Sequence, residues 1–522
     1  MRSTACPSRH ALTTGLAVAA LVVAFDGLAA AQRTSPPVPG PSGVGDRLFP
    51  QLGNGGYDVV RYELDVEYAG PELVDVTADV GIRAEAERRL PRFNLDFAGG
   101  SVERVAVDGV AAEWDREDEE LVVWPARDVR RGRTFRVDVA YTPDPPQAID
   151  AGVLEIIPWM RTADGSVTAA QPDGAHWIFP SNDHPSDKAA YRIRLTVPDG
   201  ITAVANGTLE RRTTTGGRTT WTYEHRRPMA SELIQLAVGD LEVRDGGQAA
   251  GVPLRHVLAR AVADPEEPIL SRVPVHMAFM TERVGPYPFD VFGALGADAD
   301  IGFALETQTL PLYPAGFLLN APPRFVEPTM VHELAHEWFG NSVSPATWSD
   351  LWLNEAHATW YERQYEFETF PNVPGRPFQT MEEFMRAVYA LGDQWRADFG
   401  PVARQRSGEL LEFFNPNVYE GGALVLYALR QEVGDATFRR IEREWARRNQ
   451  YGVVGTLDFI RFASRIARRD LRPFLRAWVY RTTTPPMPGH PDWTVDPVEA
   501  QPTAASRAVV RQARLARALH RP

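Results

Sequence analysis

The sequence predicts an α+β protein with an all-β domain first and a mainly helical domain after it. The chain has 522 residues, of which 44% are hydrophobic and 24% charged, a composition typical of folded proteins. At about 150 residues per domain, this length favours roughly two to four domains. The spacing of apolar residues changes along the chain, from a period of two up to residue 246 to a helical period beyond residue 251.

The first 31 residues have the layout of a secretory signal peptide. Arg2 and Arg9 precede a mostly apolar run at 11–25, and alanines at 29–31 form a small-residue cleavage site. Because a membrane-spanning helix needs about 20 apolar residues, this shorter run favours a cleaved export signal. We therefore expect a secreted or cell-envelope protein without stable membrane insertion. Cys6 is the only cysteine and precedes the predicted cleavage site, so no disulfide is expected.

Residues 32–45 are rich in proline, glycine and serine and are predicted to be a flexible linker. The N-terminal β domain is predicted at 46–246. Asn206-Gly207 predicts a two-residue hairpin turn, which we favour over glycosylation of the Asn206-Gly207-Thr208 acceptor pattern. Alternating apolar and polar residues predict half-buried strands at 60–68, 135–141 and 191–197.

The second domain is predicted at 247–485, where apolar residues recur at helical spacing above polar faces. Residues 486–522 are predicted to be a proline-rich linker and an arginine-rich tail, for which a solvated segment is favoured over contact with an anionic surface. The predicted helices cover 274–284, 324–339, 350–367, 381–399, 420–433 and 457–467.

The charge of the chain disfavours nucleic acid as a partner. The 68 acidic and 55 basic residues give a net charge of −13, whereas contacts to phosphates need a basic surface. Lys188 is the only lysine, and the other basic residues are arginines. We expect a monomer.

A His-Glu-x-x-His pattern lies within the predicted helix at 324–339, with His332, Glu333 and His336 as its defining residues. The four-residue spacing brings both imidazoles onto one helix face, where they can bind one cation. Two imidazoles and one oxygen ligand suit Zn²⁺ and leave a fourth position open, which Glu333 would face. The pattern predicts a zinc site, against the alternative of a surface helix with two unrelated histidines.

The third ligand distinguishes the classes of zinc peptidase. Metzincins need Gly and His three and six residues after the second histidine, where this chain has Phe339 and Ser342. Gluzincins take a Glu from a following helix, and Glu355 lies near the start of the predicted helix at 350–367. We therefore predict one Zn²⁺ per chain, with Glu355 as its third ligand.

The segments around these residues resemble the aminopeptidase-N-type gluzincin metallopeptidases. The resemblance covers roughly 46–485 and implies a saddle-like all-β domain docked on a thermolysin-like, mainly helical catalytic domain. It implies a short bacterial form without the family's large C-terminal helical domain, because fewer than forty residues follow Pro485. The similar stretches are HELAHEWFGN at 332–341, WSDLWLNEA at 348–356, GPYPF at 285–289, VYEGGA at 418–423, and two β-domain stretches at 55–68 and 171–191.

The resemblance also implies a role for each site residue in a secreted aminopeptidase acting on peptides. Zinc would polarise the scissile carbonyl and acidify a water, and Glu333 would take the proton of that water and pass it to the leaving amine. The phenol of Tyr419 would donate to the oxyanion. The segment GFALET, with Ala304 and Glu306, corresponds to the family strand that holds the substrate's α-ammonium, and Gln171 would line the same pocket.

The segment GFALET departs from the family pattern, since Phe303 replaces a glycine and the methionine and asparagine positions are also changed. A zinc endopeptidase or another hydrolase on this scaffold is therefore the alternative function. A non-catalytic binding protein is disfavoured because the three predicted zinc ligands and the predicted general base, Glu333, are all present. His176 and His184 are predicted in a solvated loop of the β domain, which we favour over contact with substrate, and His357 is predicted to be a packing residue.

Overall fold

The computed structural model describes residues 39–69, 75–145, 157–263, 268–299, 301–406 and 413–498. These residues belong to one compact unit. The predicted signal peptide with Cys6 and the arginine-rich tail lie outside the described residues. Among the helices that are described, none is long and apolar enough to cross a membrane.

The N-terminal domain is β-rich, and the strands predicted at 60–68, 135–141 and 191–197 are confirmed as parts of longer strands. From Tyr62 to Tyr68 the apolar side chains of the first strand are buried and those between them are more exposed, as the sequence predicts. Val60, which the same alternation predicts to be buried, is exposed, because the pairing is irregular between Val59 and Arg61. The strands are β1 (Tyr57–Tyr68), β2 (Val76–Ala86), β3 (Phe93–Asp96), β4 (Ser101–Val107), β5 (Val110–Ala111), β6 (Glu113–Glu117), β7 (Glu120–Trp124), β8 (Thr134–Thr142), β9 (Trp159–Arg161), β10 (Ser166–Thr168), β11 (Lys188–Pro198), β12 (Thr202–Ala205), β13 (Thr208–Thr215), β14 (Arg218–Ala230) and β15 (Leu236–Gly239).

An eight-stranded sheet is the largest element of this domain, with the strand order β13-β14-β11-β1-β2-β8-β4-β5. Strands β1 and β11 pair in parallel, with Tyr62 opposite Tyr191, and the other neighbours are antiparallel. The described residues of this domain also form a four-stranded sheet β12-β15-β10-β9 and a three-stranded sheet β3-β7-β6. Apolar side chains from the three sheets share one core, which also includes Leu295 and Leu312 of the second domain. The two domains are therefore packed through a common apolar core.

The second domain combines a small four-stranded sheet with the helices. The order of strands in this sheet is β16 (Leu241–Ala249), β17 (Val252–Ala259), β18 (Leu295–Ala297) and β19 (Leu312–Pro314). The predicted domain boundary at 246–247 falls within β16. Strands β20 (Ser344–Pro345) and β21 (Val453–Val454) form a separate parallel pair. The helices are α1 (Val273–Arg283), α2 (Ala315–Asn320), α3 (Pro323–His336), α4 (Trp352–Thr369), α5 (Met381–Ala390), α6 (Gly392–Phe399), α7 (Pro416–Val433), α8 (Asp435–Arg448), α9 (Thr456–Ala467) and α10 (Arg472–Tyr480).

Five of the six predicted helices are confirmed with small shifts at their ends. The sixth, at 381–399, is interrupted at Leu391 and forms α5 and α6. At this break Gly392 approaches Thr484 so closely that a Cβ on Gly392 would lie 2.3 Å from the Thr484 hydroxyl. Helices α2, α8 and α10 are not among the predicted helices, although α8 and α10 carry apolar residues at helical spacing, such as Phe438, Ile441 and Trp445 on α8.

The hairpin predicted at Asn206-Gly207 is wrong. Strand β12 pairs with β15, whereas β13 pairs with β14 in the other sheet, so the two residues connect two sheets. The Asn206 side chain is fully buried and donates to the carbonyls of Leu233 and Gln308, at 3.0 and 2.7 Å. A buried amide with two partners is no glycan acceptor, so Asn206 connects the β domain to the second domain instead.

The solvated loop predicted around His176 and His184 is also wrong, because each histidine is 1% exposed. His176 Nδ1 lies 2.7 Å from a carboxylate oxygen of Asp183, and His184 Nε2 lies 3.2 Å from Asp46. Burial lowers the pKa of His176, but the contact with Asp183 outweighs burial and raises that pKa to about 9. Turn-forming residues suggested exposure, whereas pairing with buried carboxylates makes burial of both imidazoles favourable.

Residues 39–54, which we call the N-terminal strap, contact both domains and include the described end of the predicted flexible linker. The Asp46 carboxylate accepts a 2.6 Å hydrogen bond from the backbone N–H of Trp348 in the second domain, and its partner in the first domain is His184. The ring of Phe49 packs edge-on against the Trp348 indole at 5.8 Å. The strap therefore joins the β domain to the turn that precedes α4.

Candidate active site

Three predicted ligand side chains meet between α3 and α4. His332 and His336 lie one turn apart on α3, and Glu355 lies in the first turn of α4. The Glu355 carboxylate oxygen Oε2 is 3.4 Å from His332 Nε2 and 3.4 Å from His336 Nε2. The structure thus brings together all three residues that the spacing of the motif selected.

The geometry of these atoms fits a zinc ion. Tetrahedral ligands about 2.0–2.1 Å from zinc are separated from one another by about 3.3–3.4 Å, which matches both distances to Glu355. Each imidazole has its Nδ1 against an acceptor, which is Glu362 for His332 and the Phe339 carbonyl for His336, so both Nε2 atoms are left as ligands. Glu355 Oε2 is buried and accepts no hydrogen bond from the described residues.

Electrostatics at the three ligands also favour a cation. Burial raises the pKa of Glu355, but the imidazoles of His336 and His332 outweigh burial and hold that pKa at about 2. The carboxylate is therefore ionised at any physiological pH. Because a metal binds only the unprotonated imidazole nitrogens, zinc and protons would compete for both Nε2 atoms.

Local backbone features place α3 and the turn after it. Pro323 occupies the first turn of α3, where its missing N–H costs no helical hydrogen bond. After the helix, Gly340 adopts a φ of +127°, and a Cβ there would lie 3.3 Å from His336 Nδ1. Glycine is favoured at this position by the backbone conformation, and a Cβ there would also crowd the imidazole. The backbone N–H of Asn341 then closes the turn on the His336 carbonyl at 2.9 Å.

Glu362 is a site residue that the sequence analysis missed. Its carboxylate lies 3.0 Å from His332 Nδ1, and Arg363 neutralises the other oxygen at 3.2 Å. A carboxylate at this position orients the imidazole and increases its basicity toward a metal. The sequence contains one feature that could have indicated this role. Glu362 follows Glu355 by seven residues, which places it two turns along the same face of α4.

Glu333 is buried beside the three ligands, and Glu306 lies close to both Glu333 and His336. Carboxylate oxygens of Glu306 and Glu333 and a ring nitrogen of His336 all lie within 4.8 Å of one another. Burial raises the pKa of Glu333 to about 8, against the opposing effect of both imidazoles. A dication at the neighbouring site would lower this pKa. The arrangement therefore provides a carboxylate that can accept and return a proton.

Tyr419 lies in the first turn of α7, opposite α3. The Asn415 side chain caps this helix by accepting from the backbone N–H groups of Asn417 and Val418, which fixes the first turn. The half-buried ring of Tyr419 stacks over the His332 ring, with centroids 6.0 Å apart and planes 15° from parallel.

The glycines that follow Tyr419 allow α7 to pack closely against α4. A Cβ on Gly422 would lie 2.6 Å from the Cβ of Ala356, so a larger residue would push the two helices apart. Ala356 follows Glu355 directly in the sequence, and the contact therefore sets the distance between the tyrosine helix and the metal site. The close packing of α7 against α4 is therefore a physical reason for the glycines in the VYEGGA segment.

The predicted substrate residues Gln171 and Glu306 are in contact, although 135 positions separate them. Gln171 Nε2 donates to Glu306 Oε1 at 2.7 Å, and both side chains are buried. Glu306 Oε1 is also 3.9 Å from His336 Nδ1. Ala304 is partly buried two residues earlier and packs against the apolar core of the second domain. The β domain thus contributes directly to the wall of the site through Gln171.

Comparison with known proteins identifies the family. Residues 286–478 match the profile of the peptidase family M1 domain, and residues 102–233 match that of the peptidase M1 N-terminal domain. The chain belongs to peptidase family M1. The family resemblance that the motifs of the M1 chain indicated is therefore confirmed.

Solved structures and curated proteins agree with this assignment. The M1 zinc metallopeptidase of Deinococcus radiodurans is 29% identical, with a TM-score of 0.72, over 88% of this chain and 100% of that one. A two-domain M1 zinc metallopeptidase bound to L-arginine matches 85% of this chain and 99% of its own length, with 29% identity and a TM-score of 0.73. The α+β, two-domain architecture of the M1 chain is thus the one seen in these structures.

Two curated aminopeptidases are more distant from the M1 chain. The leucyl aminopeptidase of Saccharolobus solfataricus is 24% identical over 63% of this chain and 42% of its own length. Aminopeptidase M1 of Arabidopsis thaliana is 25% identical over 56% of this chain and 34% of its own length. The M1 chain therefore spans less than half the length of these two relatives. One zinc ion at the His332, His336 and Glu355 site agrees with the zinc peptidases among the solved relatives.

Proposed function

We propose that the chain is an exported zinc aminopeptidase that removes residues from the N-terminus of peptides. One observation carries this proposal: the buried Glu306 carboxylate, held by Gln171, lies within 4.8 Å of the Glu333 carboxylate. An exopeptidase needs a fixed anion for the substrate's α-ammonium close to the group that promotes hydrolysis. Membership of family M1 and the aminopeptidases among its relatives support the same activity.

The short distance between the two carboxylates favours cleavage of the first peptide bond. In any peptide the first carbonyl carbon lies only about 2.5 Å from the α-nitrogen, because two covalent bonds separate them. A peptide whose ammonium binds Glu306 therefore presents its first carbonyl, and not a later one, beside Glu333. An endopeptidase would have no use for a buried anion at this position.

The chain's own groups account for the proton movements of the reaction. Zinc, when bound by His332, His336 and Glu355, would supply a Lewis acid that polarises the scissile carbonyl and acidifies water. Glu333 would take a proton from the attacking water and deliver it to the leaving amine, as general base and then general acid. The Tyr419 phenol would donate a hydrogen bond to the oxyanion that develops on the carbonyl oxygen.

A panel of aminoacyl chromogenic substrates, measured with and without a chelator, tests the activity. We expect hydrolysis that the chelator abolishes and added zinc restores. One peptide with a free and with an acetylated N-terminus then separates exopeptidase from endopeptidase action. Acetylation removes the charge that Glu306 would bind, so we expect loss of cleavage at the first bond. Equal cleavage of the two forms would exclude an aminopeptidase and favour a zinc endopeptidase.

Export and a monomeric state are further parts of the proposal, and the sequence supports export. The basic start, the apolar run at 11–25 and the alanines at 29–31 support cleavage after Ala31. Mass spectrometry of the protein recovered outside the cytoplasm is expected to give a mature N-terminus at Gln32. Full-length protein retained in the cytoplasm would contradict export, and sedimentation at twice the chain mass would contradict the monomer.

A further inference from the structure

Lys188 is the only lysine in a chain that otherwise uses arginine for its basic side chains. It begins β11 in the N-terminal domain, and its ammonium donates to two carbonyls of the second domain, those of Asn341 at 2.8 Å and Ser342 at 2.9 Å. No carboxylate of the described residues lies within ion-pair distance of its Nζ. Two adjacent carbonyls suit a compact ammonium, whereas the larger planar guanidinium of arginine is shaped for a carboxylate.

The two carbonyls belong to the turn that follows the metal-binding helix α3. The backbone N–H of Ser342 donates to the Glu337 carbonyl at 3.1 Å, just as Asn341 closes on His336. The side chain of the same Asn341 donates to the backbone carbonyl of Glu306 at 2.8 Å. Only one residue, Asn341, therefore lies between the Lys188 ammonium and the backbone of the carboxylate proposed to bind the substrate's α-ammonium.

Together with the bond from Gln171, these hydrogen bonds connect the β domain to Glu306 at two points. The β domain holds the backbone of Glu306 through Lys188 and Asn341, and it holds the Glu306 carboxylate through Gln171. Both ends of Glu306 are thus positioned from the other domain. Errors of about 1 Å in the placement of such a group can reduce catalytic efficiency by roughly a hundredfold.

We propose that Lys188 is a positioning residue that sets the place of Glu306 and thereby selects substrates with a free amino terminus. This inference rests on the proposed aminopeptidase function. Burial lowers the pKa of Lys188 to about 7, with Glu232 opposing the fall. The hydrogen bonds to the two carbonyls do not depend on this charge, because a neutral amine also donates.

Lys188 differs from the groups that merely hold the domains together. The domain contact also has the Asp46 hydrogen bond to Trp348, and Asn206 donates to the Gln308 carbonyl from a separate position. Apolar residues of both domains share one core beside these bonds. Loss of Lys188 alone should therefore leave the domains docked and shift only the turn at 341–342 and the Glu306 backbone.

The test compares Lys188→Met with Arg192→Met, a matched change at an exposed side chain on the same strand. For Lys188→Met we expect the KM of a free-amine substrate to rise roughly ten- to a hundredfold, with less than about a threefold change in kcat and with unchanged zinc content. Inhibition by a free amino acid should weaken in parallel, and inhibition by its N-acetyl derivative should stay constant. Arg192→Met should behave as wild type.

Equal weakening of the free and acetylated inhibitors, or an unchanged KM, would overturn the proposal. A second measurement keeps it testable if the protein proves inactive as an aminopeptidase. Reductive methylation of the wild-type protein, followed by peptide mass spectrometry, reports on a single lysine. Lys188 should stay unmodified in the native protein and become dimethylated after denaturation. Rapid modification in the native protein would show that the ammonium does not hold the turn, whatever the activity.

Discussion

Replacement of Glu362 by glutamine should weaken zinc binding without disturbing the fold. The Glu362 carboxylate lies 3.0 Å from His332 Nδ1, and glutamine keeps an acceptor of nearly the same shape but removes the charge. Loss of such a partner costs about 10- to 100-fold in metal affinity, which corresponds to about 1.4–2.7 kcal/mol. The upper part of this range is expected, because both side chains are buried and water cannot replace the missing charge.

Competition with a chelator of known affinity, at fixed pH, measures this change in zinc affinity. Glu366→Gln is the matched control, since Glu366 pairs with the same Arg363 one turn further along α4. The control should lose stability comparably but keep its zinc affinity. If both variants bind zinc as tightly as wild type, Glu362 does not tune the ligand. If both lose affinity equally, the effect is structural.

Three further outcomes are expected. Glu333→Gln should retain one zinc per chain and lose turnover, and a variant with wild-type rates would exclude the proposed proton transfer. Tyr419→Phe should lower kcat by about 10²–10³-fold with little change in KM, as for loss of an oxyanion donor, and steady-state kinetics would show this. Hydrogen bonds from His276 and Tyr365 outweigh burial and hold the pKa of Glu327 at about 2, below its ordinary 4.5. Its stabilisation, on the order of 3 kcal/mol, should be present above pH 4.5 and lost as the pH falls toward 2, so denaturant unfolding of Glu327→Gln should approach wild type in acid.

The metal ligands could be predicted from sequence because their geometry is local. His332 and His336 share one helix, and Glu355 follows a short connection, so few backbone conformations separate the pattern from the site. Glu362 was missed although it lies on the same helix. A glutamate on a helix is common, and only the rotation of α4 against α3 reveals that this one faces an imidazole.

Features that depend on contacts between distant segments could not be predicted from the sequence. The hairpin at Asn206-Gly207 had the correct local residues, but pairing with β14 and β15 took the flanking strands into different sheets. The contact between Gln171 and Glu306 could be named only through resemblance, since no local pattern relates positions so far apart. His184 is buried because Asp46 of the N-terminal strap compensates it, and His176 is buried beside Asp183, seven residues further along the chain.

The N-terminal strap has a consequence for how the molecule melts. Opening the two halves would expose the Asp46 carboxylate, separate it from the Trp348 N–H and uncover the Phe49 ring together. Neither half can then lose its structure while the other keeps all of its own contacts. Calorimetry should accordingly record a single heat-absorption peak rather than two, and a chain shortened past residue 46 should melt at a lower temperature but still in one step, because the shared apolar core remains.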